Sequence, residues 1–154
     1  MNDPEKQAYI FGGILALANR LQVLGDKLDE NVTLKQWLLI AMILKSEHPS
    51  PTISEVAEMV GYSRQNVKKM ALILEKRGFV SLIKDAHDAR IFRMHLTPKC
   101  AAYFQTREEK EAQFMVALFD GFNEESTDAL CKGIMKLADN IITMESLQHE
   151  NEKE

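Results

Sequence analysis

Ser63, Arg64, Gln65, Asn66, Lys68 and Lys69 open a helical pattern directly behind Gly61 and Tyr62. Ser63 is an N-cap residue by type, and the backbone N–H groups it exposes attract phosphate. Arg64, Gln65 and Asn66 sit where side chains can reach base edges, whereas Lys68 and Lys69 suit phosphate oxygens. Further on, Asp88 and Arg90 share a polar loop. A planar guanidinium fits a narrow, electronegative minor groove, and Asp88 can hold it by a bidentate pair until DNA arrives. Thr52, ahead of this unit, and Lys84, at the foot of the loop, complete the set. The chemistry is recognition of double-stranded DNA. Lys and Gln suit any solvated helix face, however, and a loop ion pair is worth little by itself. The elements around these residues decide between the two readings.

Those elements follow from period and punctuation. Thr52 and Glu55 form a capping box that starts a helix carrying Ile53, Val56, Ala57 and Val60, and Gly61 with Tyr62 supplies a turn. Counted at 100° per residue from Ser63, Val67, Met70, Ala71 and Leu74 share one face of the next helix; Gln65, Lys68, Lys69, Leu72 and Lys76 lie opposite. Beyond Gly78 the period falls to two. Phe79 to Lys84 and Ile91 to Leu96 read as paired strands, with Asp85 to Arg90 as a projecting loop. Helix, turn, helix and ribbon in this order make a helix-turn-helix with a wing.

The flanks are helical. Ile10, Ile14, Leu17, Leu21, Leu24 and Leu28 repeat at four and three between Glu5 and Lys27, interrupted by Gly12 and Gly13, which permit close backbone approach. Asp29 to Val32 is a connector. Thr33 with Gln36 caps a helix through Trp37 to about Ser46, and the two prolines of residues 47–51 end it. Thr97 and Pro98 start a helix expected to run to about Gly121. Asn123 caps a last one, with Leu130, Ile134, Leu137, Ile141 and Met144 again at four and three, before an end expected to fray over residues 151–154. The two seams exceed what one small core must bury. They predict a dimerisation layer from residues 5–32 and 98–148 around a winged lobe at 33–97, all within a single mainly α domain of about six helices and a two- or three-stranded ribbon.

Bulk numbers agree. At 154 residues, 45% hydrophobic and 27% charged, the chain is long enough for a real core. The net charge of −4 argues against DNA until its distribution is read. Between Ser63 and Arg93 eight bases face three acids, a local +5 that leaves −9 for the rest. A basic patch on an acidic body is the footprint of a phosphate ligand. The apolar runs Ala8 to Ala18 and Trp37 to Leu44 fall short of a bilayer span, the N-terminal residues have no targeting pattern, and a reducing cytoplasm suits Cys100 and Cys131. Neither cysteine carries a sign of a lowered pKa. His48, His87, His95 and His149 share no metal-ligand spacing, and no metal or cofactor is expected. With no nucleophile–base pair, Gly-rich phosphate loop or paired carboxylates, the sequence does not read as an enzyme.

Asp88-Ala89-Arg90, five residues, then Leu96-Thr97 resembles the D-x-R-x5-L-T wing signature of MarR-type transcriptional regulators. Thr33, Gln36 and Trp37 are similar to that family's T-x-x-Q-W helix start, and Gly78, Phe79 and Val80 to its first wing strand. The resemblance implies a homodimeric winged-helix repressor, less often an activator. Its recognition helix would lie in the major groove and its wing Arg in the minor groove, and a small ligand would bind between two lobes. By that analogy Phe11, Arg20 and Trp37 are candidates for an aromatic or phenolic effector site. Peroxide-sensing relatives carry a cysteine in the first helix, which this chain lacks. Leu82, Ala89 and Cys100 depart from the pattern, where Arg, Arg and Gly are common. Fewer bases imply fewer phosphate contacts. They also leave open a helical dimer that uses the fold for protein contacts or ligand sequestration without DNA.

Overall fold

The computed structural model describes residues 1–151 in the order α1 (Asp3–Leu28), α2 (Leu34–Lys45), α3 (Ile53–Val60), α4 (Arg64–Lys76), β1 (Val80–Lys84), β2 (Phe92–Leu96), α5 (Pro98–Gln105), α6 (Glu108–Leu118) and α7 (Glu124–Asn151). Two compact units are present, Met1–Thr106 and Arg107–Glu154. The first holds the winged lobe. Asn151 closes α7, and the rest of the expected frayed end lies outside the described residues.

Each helix of the first unit starts where a polar side chain can satisfy its free N–H groups. Asn2 and Glu5, Thr33 and Gln36, and Thr52 and Glu55 form reciprocal capping boxes for α1, α2 and α3. Ser63 caps α4 through the N–H of Asn66, at 3.2 Å. Between α3 and α4 the chain must reverse within three residues. Gly61 does this at φ 72°, a left-handed conformation that a Cβ would strain.

The buried positions follow the helical stripes: Leu39, Ile40 and Ile43 on α2, Val56 and Ala57 on α3, Val67, Ala71 and Leu74 on α4. Phe79 and Val80, Met94 from β2 and Cys100 from α5 close the core, with Trp37, Leu82 and Tyr103 packed at its edge. Leu39 is fully enclosed. Its replacement by Ala should cost about 2–5 kcal/mol, seen as a lower denaturation midpoint with an unchanged slope.

The ribbon is antiparallel, with Val80 opposite Leu96, Leu82 opposite Met94 and Lys84 opposite Phe92. Residues 50–52 lie along the other side of β2. Thr52 bridges Arg93, and the Met94 N–H donates to the Pro51 carbonyl at 2.8 Å. The third row of the wing is therefore the chain leading into α3.

Three expectations change. The helix expected from Thr97 to Gly121 is two helices. Thr106 directs both its N–H (3.2 Å) and its hydroxyl (2.6 Å) at the Tyr103 carbonyl, a tight turn that competes with the α-helical ladder. The described residues accordingly hold seven helices rather than about six. The close approach assigned to Gly12 and Gly13 belongs, within the chain, to Gly25. A Cβ there would stand 2.9 Å from Leu34 Cδ1, while one at Gly12 or Gly13 meets nothing. Asp26 fastens the same corner by accepting from the Leu34 N–H at 2.8 Å. Finally, α1 runs unbroken through its glycines. It contains an 18-residue stretch of mean hydropathy 1.3, long and apolar enough by length and composition to cross a membrane. Asn19, Arg20 and Gln22 in its second half would be costly in lipid.

Candidate nucleic-acid interface

The site begins with the two faces of α4. Val67, Ala71 and Leu74 are buried and Met70 half-buried, which turns Arg64, Gln65, Asn66, Lys68, Lys69, Leu72 and Lys76 outward, all exposed. This is the division read from the sequence. Arg64, Lys68, Lys69 and Lys84 make no ion pair among the described residues, so their charges face solvent. Ser63 uses its oxygen as the cap. Thr52 does likewise, accepting from the Glu55 N–H at 3.1 Å, which leaves only its O–H to donate elsewhere.

The wing loop is built around two carboxylates. Asp85 Oδ2 accepts the N–H groups of His87 (2.9 Å) and Asp88 (3.1 Å), and Asp88 Oδ1 accepts that of Arg90 (3.0 Å). Asp88 also grips the Arg90 guanidinium, Nε at 3.0 Å and Nη2 at 2.9 Å, the bidentate pair expected from the sequence. The Arg90 side chain is 89% exposed and that of Asp88 32%, so the arginine stands out from the loop while its partner supports it from below. The pairing holds the Asp88 carboxyl below the usual range, and Asp88 in turn raises the Arg90 pKa.

Arg93 was expected only as part of the basic patch. Its guanidinium turns inward, Nε to Asp85 Oδ1 at 2.6 Å and Nη1 to the Ser50 carbonyl at 3.0 Å. The signal was present: Ile83 pairs with Arg93, so Asp85, two residues beyond, is its diagonal neighbour on the same sheet face. The Arg93 guanidinium above all, and then the His87 N–H, hold the Asp85 carboxyl down at about 2, below its usual 3.8. A carboxyl with a lowered folded-state pKa contributes stability that is complete above its unfolded value and disappears as pH falls through the folded one. The stability gap between the parent and Asp85→Asn should therefore be constant from about pH 5 to pH 8 and close between about pH 4 and pH 2 in denaturant titrations.

Other bases are also engaged. Arg77 Nη1 lies 3.4 Å from Gln36 Oε1, and Lys99 Nζ donates to the Arg77 carbonyl at 2.7 Å, satisfying the C-terminus of α4. Leu82, which stands where Arg is common, packs on the core, and its N–H donates to Glu75 Oε2 at 2.8 Å. Of the bases between Ser63 and Arg93, Arg64, Lys68, Lys69, Lys76 and Lys84 make no ion pair among the described residues, and Arg90 stands at the wing tip.

The effector residues are not gathered. Phe11 and Arg20 are exposed on α1 and, nine residues apart, fall on opposite faces of it. Trp37 is half-buried against the core of the winged lobe. Cys100 is buried, which pushes its thiol pKa up, and Cys131 is exposed on α7.

An outward basic helix behind a glycine turn, beside a ribbon with an arginine at its tip, defines a winged helix-turn-helix. Residues 30–91 match the model of the MarR family. Solved structures share the fold along most of the chain. A MarR protein from Peptoclostridium difficile is 21% identical over 86% of this chain and 87% of its own, with a TM-score of 0.76. S. aureus MepR, solved as a DNA complex, is 17% identical over 88% of this chain and 97% of its own, with a TM-score of 0.72. Bordetella bronchiseptica BpsR, whose DNA binding is regulated by 6-hydroxynicotinic acid, is 18% identical over 83% and 98%, with a TM-score of 0.70. No curated protein matches the chain. The match to the MarR family model spans residues 30–91, and the chain as a whole shares the winged-helix fold of these solved MarR proteins.

Proposed function

We propose that the protein is a cytoplasmic homodimeric repressor that binds an imperfect palindrome and releases it in response to a small aromatic or phenolic effector. The observation that carries the DNA part is the unpaired outward face of α4, Arg64 to Lys69, next to the 89% exposed Arg90. Arg64, Gln65 and Asn66 read base edges in the major groove; Lys68, Lys69 and Lys84 contact phosphate, with Thr52 and Ser63 at the groove wall; Arg90, oriented by Asp88, enters the minor groove.

Dimerisation is supported by apolar side chains in water. Ile10, Ile14, Leu17 and Leu24 of α1 are exposed, as are Leu130, Ile134, Leu137, Ile141 and Met144 of α7. Continuous apolar stripes of this length mark association surfaces. The effector reading rests on BpsR, an aromatic-acid-responsive protein of the same fold, and on the aromatic residues Phe11 and Trp37.

Two recognition helices related by a two-fold axis require half-sites about 10 base pairs apart, centre to centre. Selection from random duplexes followed by footprinting should return an inverted repeat with two protected half-sites. Binding should weaken steeply with salt. Retention on DNA that ignores salt, or protection of one asymmetric half-site, overturns the proposal.

A further inference from the structure

We propose that Arg93 and Asp85 are positioning residues that lock the wing to the helix-turn-helix, so that Arg90 and α4 meet DNA as one rigid body. The inference rests on the DNA-binding reading above.

Its basis is a continuous chain of contacts from the root of α3 to the wing tip. Residues 50–52 run directly into α3 and lie against β2, held by the Met94–Pro51 bond and the Thr52–Arg93 bridge. From β2 the Arg93 side chain reaches in two directions, to the Ser50 carbonyl on that connector and to Asp85 at the head of the wing loop. Asp85 uses its other oxygen to fix the N–H groups of His87 and Asp88, and Asp88 holds Arg90. Ser50 Oγ adds a bond to His95 Nδ1 at 3.1 Å on the outer face of β2.

The exposures separate this role from a direct DNA contact. The Arg93 and Asp85 side chains are 27% and 10% exposed, against 89% for Arg90. Arg93's donors are directed at Asp85 and Ser50, and its charge is matched at 2.6 Å. A two-stranded ribbon with a seven-residue loop and no such tie can swing about its strands, and each lost degree of orientation lowers the gain from a minor-groove arginine.

The test is a double-mutant cycle on a duplex selected by the parent from random sequence. Arg93→Gln should weaken binding about as much as Arg90→Ala, on the order of tenfold, because both remove the same wing contact. Combined with Arg90→Ala, Arg93→Gln should add less than about twofold. Asp85→Asn keeps an acceptor for the His87 and Asp88 N–H groups but loses the charge pair, and it should reproduce Arg93→Gln. Gln65→Ala should cost the same in the Arg93→Gln background as in the parent, since α4 still reads its bases. A general folding defect would instead lower affinity in the Arg90→Ala background as well. Additive losses from Arg93→Gln and Arg90→Ala, or Arg93→Gln binding at parent strength, overturn the clamp. A parent that enriches no duplex overturns the DNA-binding reading itself.

Discussion

Leu137→Asp and Ile141→Asp, introduced together, are expected to convert the protein to monomers and to abolish tight operator binding. Both residues stand on the apolar stripe of α7, 38% and 54% exposed in the single chain, and they are one helical turn apart. In a two-fold interface each substitution appears twice. Four carboxylates would then have to leave water without partners, a cost of several kcal/mol for each buried charge. The single chain would lose nothing comparable, because the sites are solvent-exposed there. Light scattering should give half the parent mass, with helical content by circular dichroism unchanged. Separate winged lobes also lose the second half-site as a tethered event, so affinity for the selected duplex should fall by about 10²–10⁴. An unchanged dimer mass places the interface away from α7.

The other large effect separates reading from positioning. If Gln65 reaches a base edge, Gln65→Ala should cost roughly 1–3 kcal/mol per half-site on the cognate duplex, little on scrambled DNA, and leave the salt slope nearly alone. Arg90→Ala should weaken both duplexes and flatten the logarithmic salt dependence by about one unit per subunit. The fold should survive, since the Arg90 side chain is 89% exposed and bonds only Asp88 among the described residues, and Asp88 keeps the Arg90 N–H as a donor. Titration of both variants at several salt concentrations distinguishes them. Parent-like binding by Arg90→Ala at every salt would remove the wing from the DNA complex.

What could be read from the sequence was whatever local chemistry controls. The capping pairs Thr33–Gln36 and Thr52–Glu55, the Gly61 turn, the two faces of α4 and the Asp88–Arg90 pair all depend on residues within a few positions of one another. The break at Thr106 was missed because its cause is a single hydroxyl bonding Tyr103, with neither Pro nor Gly to mark it. The tight approach within the chain, at Gly25, was missed for a different reason. Gly12 and Gly13 are conspicuous in sequence, but the tight spot is decided by where Leu34 falls, nine positions beyond Gly25. Arg93 is the instructive case for the site. Counting charge placed it in the phosphate footprint, and only strand register shows that Asp85 and the Ser50 carbonyl already hold it. The effector residues lie at the other extreme, since nothing local in the chain gathers Phe11, Arg20 and Trp37.

The apolar stripes of α1 and α7 also bear on how much of the protein a cell can keep. A lone subunit shows Tyr9, Phe11, Leu15 and Val23 along one helix and Ile134, Met135, Ile142 and Leu147 along another, all more than half exposed. If subunits pair as proposed, the lone chain is the form open to holdase chaperones and proteases and the dimer is the protected one. Pairing rises with the square of subunit concentration, so below the dissociation constant a halved synthesis rate leaves about a quarter of the dimer. Orphan subunits would be cleared first, and control of the promoter would drop over a narrow range of expression.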